Sequence, residues 1–169
     1  MFNKILGTLA VVLVMTAPAA SAEMNIVVLD PVRAILESDE AKVLAEAANK
    51  EMEPEIEELR VDAEEFQALQ AKLQKDGEVM SESERRKGIK DLEDMQADLQ
   101  FGQQKLQKQT QDKRQEILQA MAPKYEKVLN DLIQIDQIDL ILSPNQLQYA
   151  NPKHDISRRV TEKLNEASD

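Results

Sequence analysis

The pattern of apolar and polar positions divides the chain into short continuous apolar runs and long helical stretches. Residues 25–29 are a short, largely β-branched run without polar alternation, which predicts a strand buried on both faces. Asp30-Pro31 follows as a helix N-cap and first helical residue, so we predict a helix from there to about Lys75. Pro54 lies inside this stretch, and we expect a kink or a restart of the helix near residues 50–53.

A heptad seam crosses Pro54 and is followed by a second long helix. The seam positions step by four and three, with one polar residue among them: Met52, Ile56, Leu59, Ala63, Phe66, Gln70 and Leu73. Gly77, expected in the left-handed conformation, ends the first helix, and Ser81 with Glu84 supplies a capping box for the second. The second helix is predicted over residues 82–134. Because the link between the helices is so short, they must run antiparallel as a hairpin.

The return helix is sparsely apolar near the turn and richly apolar at its far end. Leu92, Leu99 and Leu106 repeat every seven residues, but polar residues occupy the other register of the seam. The far end carries a much denser apolar face: Ile117, Leu118, Met121, Val128, Leu129, Leu132 and Ile133. The pattern therefore predicts a thinly packed arm on a well-packed base.

The C-terminal part combines a second short strand with a last helix. Residues 139–142 are a second continuous apolar run, and residues 146–149 are predicted to form a further short strand that completes a hairpin. Asp155 is then expected to cap a final helix with Val160 and Leu164 on its inner side.

The N-terminal segment has the pattern of a secretory signal peptide. Lys4 supplies the positive charge, residues 5–15 are almost wholly apolar, and Ala20-Ser21-Ala22 gives the small-residue cleavage site. A membrane anchor is the alternative, but the apolar run is shorter than the roughly 20 residues needed to span a bilayer. We predict cleavage after Ala22 and export to the periplasm.

Composition and charge narrow the class of protein further. The chain has 169 residues, of which 3 % are aromatic and 31 % are charged, and it has no Cys. This composition favours long helices over a compact aromatic core, and the absence of Cys excludes disulfides. The net charge of −11 repels phosphate, so nucleic acid is not an expected partner.

No catalytic, cofactor or metal motif is found. The sequence contains no GxSxG, GxxxxGK[ST] or GxGxxG pattern, and its one histidine, His154, has no cysteine to pair with in a zinc site. The dense carboxylates of residues 51–65 fit a solvated helix face better than an acid/base pair or a calcium loop. We therefore expect no enzyme activity and no cofactor.

The order of elements and the C-terminal motifs resemble the Skp/OmpH family of periplasmic chaperones for outer-membrane proteins. The resemblance covers a signal peptide, a strand, a long charged hairpin and three local motifs. These motifs are Ile138-Asp139-Leu140-Ile141-Leu142, Tyr149-Ala150-Asn151 and Asp155-Ile156-Ser157. It implies a mainly α fold with a small β part (α+β), in which helical hairpins project from a β-body that forms a homotrimer. It also implies that unfolded outer-membrane proteins are held between the arms without ATP.

On this resemblance we divide the chain into a signal peptide (1–22), a β-body (23–50 and 115–169) and an arm (51–114). Four residues are predicted to build the β-body and its trimer contacts: Ile26, Val28, Leu140 and Leu142. Five arm residues that fit the seam poorly are predicted to contact clients: Phe66, Leu69, Met80, Met95 and Phe101. Packing between the two arm helices is the alternative role for these five, and it is the expected role of Ile56, Leu59, Leu73, Leu92 and Leu99.

Three further expectations stay open at this stage. Four residues past the tip form a candidate basic patch or an ordinary solvated helix start: Arg85, Arg86, Lys87 and Lys90. Because the chain is acidic, unlike the best-known basic members of the family, no lipopolysaccharide site is carried over to it, and peripheral contact with the membrane or lipopolysaccharide stays open. Pro54 is either a hinge that lets the arm spread or a static kink. The rival function is a coiled-coil scaffold of the envelope that binds one folded partner.

Overall fold

The computed structural model describes residues 24–167, and the predicted signal peptide lies outside them. Two short strands, β1 (Ile26–Val28) and β2 (Leu140–Leu142), accompany four helices. The helices are α1 (Pro31–Leu36), α2 (Asp39–Asp76), α3 (Glu82–Asp136) and α4 (Ser157–Glu166). The α2–α3 pair is an antiparallel hairpin, and at 1.5 Å per residue the 55 residues of α3 are about 80 Å long. The predicted class, mainly α with a small β part, is confirmed.

The two strands pair in parallel, with Ile26 opposite Leu140 and Val28 opposite Leu142. The predicted strand at residues 146–149 is wrong, and so is the hairpin it was to complete. Pro144 instead begins a short 3₁₀ turn that ends at Gln146. The chain after β2 therefore leaves the sheet, while β1 contacts a later segment through a bridge between Val28 and Asp155.

The first helical stretch is interrupted at a different place from the one predicted. The restart expected near residues 50–53 is wrong, because α2 continues through Pro54. The interruption lies at Glu37–Ser38, where Ser38 is extended and its hydroxyl accepts a hydrogen bond from the Ala41 amide at 3.4 Å. Ser38 is thus a second N-cap, and Asp39 in the first turn of α2 suits the helix dipole.

The turn at the tip of the hairpin has the predicted cap but not the predicted glycine conformation. Ser81 and Glu84 form both hydrogen bonds of the capping box. The Ser81 hydroxyl and the Ser81 amide both donate to the Glu84 carboxylate, and these two bonds hold the pKa of Glu84 below its ordinary value. Gly77 is not left-handed, since its φ and ψ of −57° and −29° continue the helical conformation. A Cβ at Gly77 would clash with the Leu73 carbonyl oxygen, so close backbone approach accounts for the glycine.

The buried core lies at the open end of the hairpin, where α1 and α4 pack on the end of α3 and the start of α2. Its fully buried members include Met121, Leu132, Val160 and Leu164, which confirms the predicted inner face of the last helix. The residues of this core come from two segments of the chain, 29–41 and 117–164. The described part of the arm between residues 53 and 116 adds no buried apolar side chain to this core.

Polar contacts fix α4 in the β-body. The Thr161 hydroxyl donates to the Ala34 carbonyl at 2.9 Å, and the Ser157 hydroxyl accepts from the Asp30 amide at 2.9 Å. Asp155 accepts from the Ser157 amide at 2.9 Å and pairs with Arg33 at 2.6 Å. The carboxyl of Asp155 thereby ties the start of the last helix to α1. The predicted N-cap at Asp155 is wrong by one residue, because Ile156 is the N-cap residue of α4 and makes no side-chain cap hydrogen bond.

Candidate functional site

The seam of the arm is built on glycines that the sequence pattern did not single out. A Cβ at Gly88 would lie 2.8 Å from Leu73 Cδ2, and a Cβ at Gly102 would lie 2.7 Å from Leu59 Cδ1. Both leucines therefore pack onto bare backbone of α3. The two glycines are fourteen residues, or two heptads, apart, and so are the two leucines. The pairing of α2 with α3 therefore keeps a single heptad register along this part of the hairpin.

The five predicted client-contacting residues are only in part exposed. Phe66, Leu69, Met80 and Met95 are half-buried, whereas Phe101 is 69 % exposed. The heptad register places Phe66 and Met95 level with each other, midway between the two leucine–glycine contacts. Phe101 is thus the one member of the five that presents most of its ring to solvent.

Other apolar side chains of the arm are also exposed. Ile56, expected in the seam, is 45 % exposed. Val79 in the tip turn is 86 % exposed, and Ile89 is exposed near the start of α3. Val79 was missed by the sequence reasoning, although an apolar residue in a short polar link was a visible signal. The arm therefore offers several separate apolar contacts along its length.

Ion pairs between the helices supplement the thin apolar seam. Lys105 pairs with Glu55 at 2.7 Å, Lys113 pairs with Glu51 at 2.9 Å, and Lys124 pairs with Glu40 nearer the β-body. The hydrogen bond from Lys105, with a second from Gln109, holds the pKa of Glu55 below its ordinary value. The sequence signal for these pairs is the acidic excess of residues 51–65 beside a basic stretch of α3.

The candidate basic patch lies at the start of α3 and is exposed. Arg86 contacts Glu82 at 3.4 Å, an exposed i,i+4 pair of small expected strength. Arg85, Lys87 and Lys90 are all exposed on the same two turns. The structure thus places the four bases together, next to the acidic cap residues Glu82 and Glu84.

The sheet carries the four residues predicted for the β-body on one face. Alternation along paired parallel strands puts Ile26, Val28, Leu140 and Leu142 on the same side of the sheet. Val28 is buried, whereas Leu140 is 43 % exposed. Ile26, Val28 and Leu142 line a groove of about 380 Å³ together with Met24 and Tyr149, and Tyr149 is 79 % exposed.

His154 belongs to a short 3₁₀ turn (Pro152–His154) beside this groove, and its Nδ1 lies 3.2 Å from the Ile26 carbonyl oxygen. Within residues 24–167 no group of three or more histidine and carboxylate side chains is placed to hold a metal ion. No helix in that part of the chain has the length and apolar character to cross a bilayer. The features that stand out are the apolar contacts of the arm and the apolar face of the sheet.

Comparison with known proteins gives the family. The sequence model of the OmpH-like outer membrane protein family matches residues 25–164, which is nearly all of the described chain. The chain belongs to the Skp/OmpH family. A "Skp-like protein" of Pseudomonas aeruginosa PAO1 is 32 % identical over 153 residues, covering 90 % of this chain and 91 % of the relative.

A solved structure supports the Skp/OmpH fold independently. The crystal structure of a candidate outer membrane chaperone, OmpH-like, from Caulobacter crescentus CB15 matches with a TM-score of 0.55. The match covers 92 % of both chains at 16 % identity, so it speaks for the fold alone. Membership in this chaperone family confirms the predicted resemblance and supports a chaperone role in the envelope.

Proposed function

We propose that this protein is an ATP-independent holdase of the periplasm. It would bind unfolded outer-membrane β-barrel proteins, prevent their aggregation and aid their delivery to the outer membrane. The observation that carries the proposal is the arm itself, whose apolar side chains beyond Met52 lie outside the core and are half-buried or exposed. Many weak apolar contacts spread along an arm add up to a useful affinity for a chain without fixed shape.

The proposed assembly is a homotrimer built on the sheet. A two-stranded sheet is marginal alone and leaves unpaired edges, and its outer face carries the groove lined by Ile26, Val28 and Leu142. Association through this face would cover the groove and set three arms around a common space. Leu140→Glu is expected to give a smaller particle in light scattering after gel filtration, because a charge would enter the subunit contact. Val79→Glu, an equal change at the exposed tip, serves as the control and is expected to leave the mass unchanged.

The proposed function is tested by diluting an unfolded outer-membrane β-barrel protein from urea and following turbidity. The mature chain, which begins at Glu23 in our prediction, is added without ATP. We expect suppression of aggregation near one trimer per client. If the client aggregates equally with and without the protein, the holdase function is contradicted. The rival function, a scaffold that binds a folded partner, is then favoured.

Arm contacts are tested by replacing Phe66, Met95 and Phe101 together with Ser. We expect weaker client capture with an unchanged oligomer, because the β-body core is remote from these residues. The single Phe101→Ser variant is the sharper probe, since this ring is the most exposed of the three. A fall in the oligomer mass instead of client capture would assign these residues to packing.

The basic patch is tested by charge reversal of Arg85, Arg86, Lys87 and Lys90. If the patch helps to hold clients, the charge-reversed variant should bind the client with lower affinity than the unmodified protein. An unchanged affinity would reduce the patch to a solvated helix start. Export is tested separately by the mass of the secreted chain, which should begin at Glu23.

A further inference from the structure

The middle of the arm contains a small groove whose floor is apolar and whose rim is acidic. Gly102 has no side chain, so Leu59 reaches the backbone of α3, and the exposed ring of Phe101 stands next to this contact. The groove between the helices has a volume of about 170 Å³ and is also lined by Glu58, Asp62 and Asp98. Engineered cavities of about 150 Å³ admit a benzene ring, so the groove is large enough for one apolar or aromatic side chain.

The acidic rim is only partly neutralised by the arm's own bases. Lys105 lines the groove as its one base and pairs with Glu55, which also lines it. Among the described residues, however, Glu58, Asp62 and Asp98 form no ion pair. Residues 51–65 hold eight acidic residues and one basic residue, and that base, Arg60, pairs with Glu57 and Glu64. Glu58 and Asp62 therefore lie in a strongly negative stretch of α2, and Asp98 lines the same groove from α3.

An exposed aromatic ring surrounded by carboxylates that form no ion pair favours a ligand with a positive charge. The face of Phe101 attracts a cation, and the carboxylates attract the same cation at longer range. The apolar floor accepts an uncharged side chain next to that cation. An acidic client segment would meet net repulsion, because four carboxylates and only one base line the groove.

We propose that this groove selects unfolded client segments in which Lys or Arg lies beside an apolar or aromatic residue. The inference rests on the proposed function and deepens it, because it states which segments of a client the arm holds. The acidic residues of the arm would then select client segments as well as keep the arm soluble.

The experiment compares short unstructured peptides that share the same apolar residues and carry Lys, Gln or Glu at every charged position. Binding to the mature protein is followed by fluorescence anisotropy at low and high salt. We expect the Lys peptide to bind more tightly than the Gln peptide, and the Glu peptide to bind least. The preference should shrink as salt screens the charges.

The decisive variant is Asp62→Asn with Asp98→Asn. We expect it to weaken binding of the Lys peptide about three- to tenfold, the size that two exposed charge contacts produce, with little change for the Gln peptide. The matched control is Glu53→Gln with Glu65→Gln, which removes two exposed carboxylates outside the groove. Gly102→Ala is a second test without any charge change, since its methyl group pushes into the floor at Leu59 and should weaken all three peptides that use the groove.

The outcomes separate this inference from the proposed function. If the protein suppresses aggregation of the full client but binds the three peptides equally, the inference fails and the holdase remains. An equal loss in the control pair and the groove pair also overturns it, because net charge alone would then explain the preference. A Lys preference that falls in Asp62→Asn with Asp98→Asn and persists in the control pair supports it, and a turbidity assay without suppression would then count against the holdase function and not against the preference of the groove.

Discussion

The β-body and the arm use the same kinds of residue in different ways. In the β-body, Met121, Leu132, Val160 and Leu164 are almost fully buried, and Ser157 and Thr161 have hydrogen-bond partners. Along the arm, apolar side chains are half-buried at best beyond Met52, and ion pairs such as Lys105–Glu55 cross between the helices. Buried packing is therefore concentrated at one end of the hairpin. The other end keeps exposed apolar surface, on which the proposed binding of clients depends.

The largest effect should come from truncating one leucine in each region. Leu132→Ala is expected to lower the free energy of unfolding by about 2–5 kcal/mol, because a fully buried side chain leaves a cavity. Leu99→Ala, in the half-buried arm seam, is expected to cost about 1 kcal/mol, since less apolar area is lost. Urea unfolding at one fixed protein concentration measures both, so that any association contributes equally. Similar losses at the two sites would contradict the contrast between the regions.

The next effect is a gain of stability in the arm from Pro54→Ala. Pro54 lies inside α2 and has no amide hydrogen for the helix ladder. Replacement by Ala is expected to stabilise the protein by about 1–3 kcal/mol, measured by urea unfolding. The same variant tests the predicted hinge: a hinge at Pro54 requires a narrower range of client sizes in Pro54→Ala, and an unchanged range overturns it.

A smaller effect is expected at Asp155, which links α4 to α1. Partial burial raises the pKa of its carboxyl, but hydrogen bonds from Ser157 and Arg33 outweigh burial and hold the pKa below its ordinary value. A carboxyl with a lowered pKa stabilises the fold above its unfolded pKa of about 3.9, and this stability is lost as the pH falls through the folded value. Asp155→Asn keeps an acceptor for the Ser157 amide but loses the half-exposed ion pair with Arg33, so it should cost less than about 1 kcal/mol at pH 7.

The pH dependence checks the origin of that loss. The difference between Asp155→Asn and the unmodified protein should shrink below about pH 4, where the carboxyl becomes protonated. Glu53→Gln, at an exposed position of the arm, is the control and should show no comparable change. A difference that persists unchanged to low pH would point to the shape of the side chain rather than to its charge.

The sequence predicted the elements whose signals are local. Ser81 and Glu84 marked the start of α3, and the spacing of Val160 and Leu164 marked the buried face of α4. The parallel sheet was missed because β1 and β2 are more than a hundred residues apart, so no local signal gives their direction. The helix break was placed at Pro54 because its ring is a strong breaker, whereas the N-cap at Ser38 is a weaker signal.

The candidate site was predicted less completely than the fold. Phe101 was correctly singled out as poorly placed in the seam, but Gly88 and Gly102 passed unnoticed. Their importance depends on the leucines of the facing helix, and the register between two helices is a tertiary property. The same limit hid the pairing of Glu55 with Lys105. The charged residues were visible in the sequence, but the sequence did not show which of them pair across the two helices.

The smallest effect is expected from reversing one charge of the arm. Lys105→Glu removes the pair with Glu55 and places two carboxylates together, so we expect a slight loss of thermal stability that salt reduces. The double variant with Glu55→Lys restores opposite charges in exchanged positions and should recover most of the loss. Melting followed by circular dichroism at low and high salt measures both variants. A double variant no more stable than Lys105→Glu alone would show that the two charges do not act on each other. The middle of the arm would then be held by its leucine–glycine contacts without help from this ion pair.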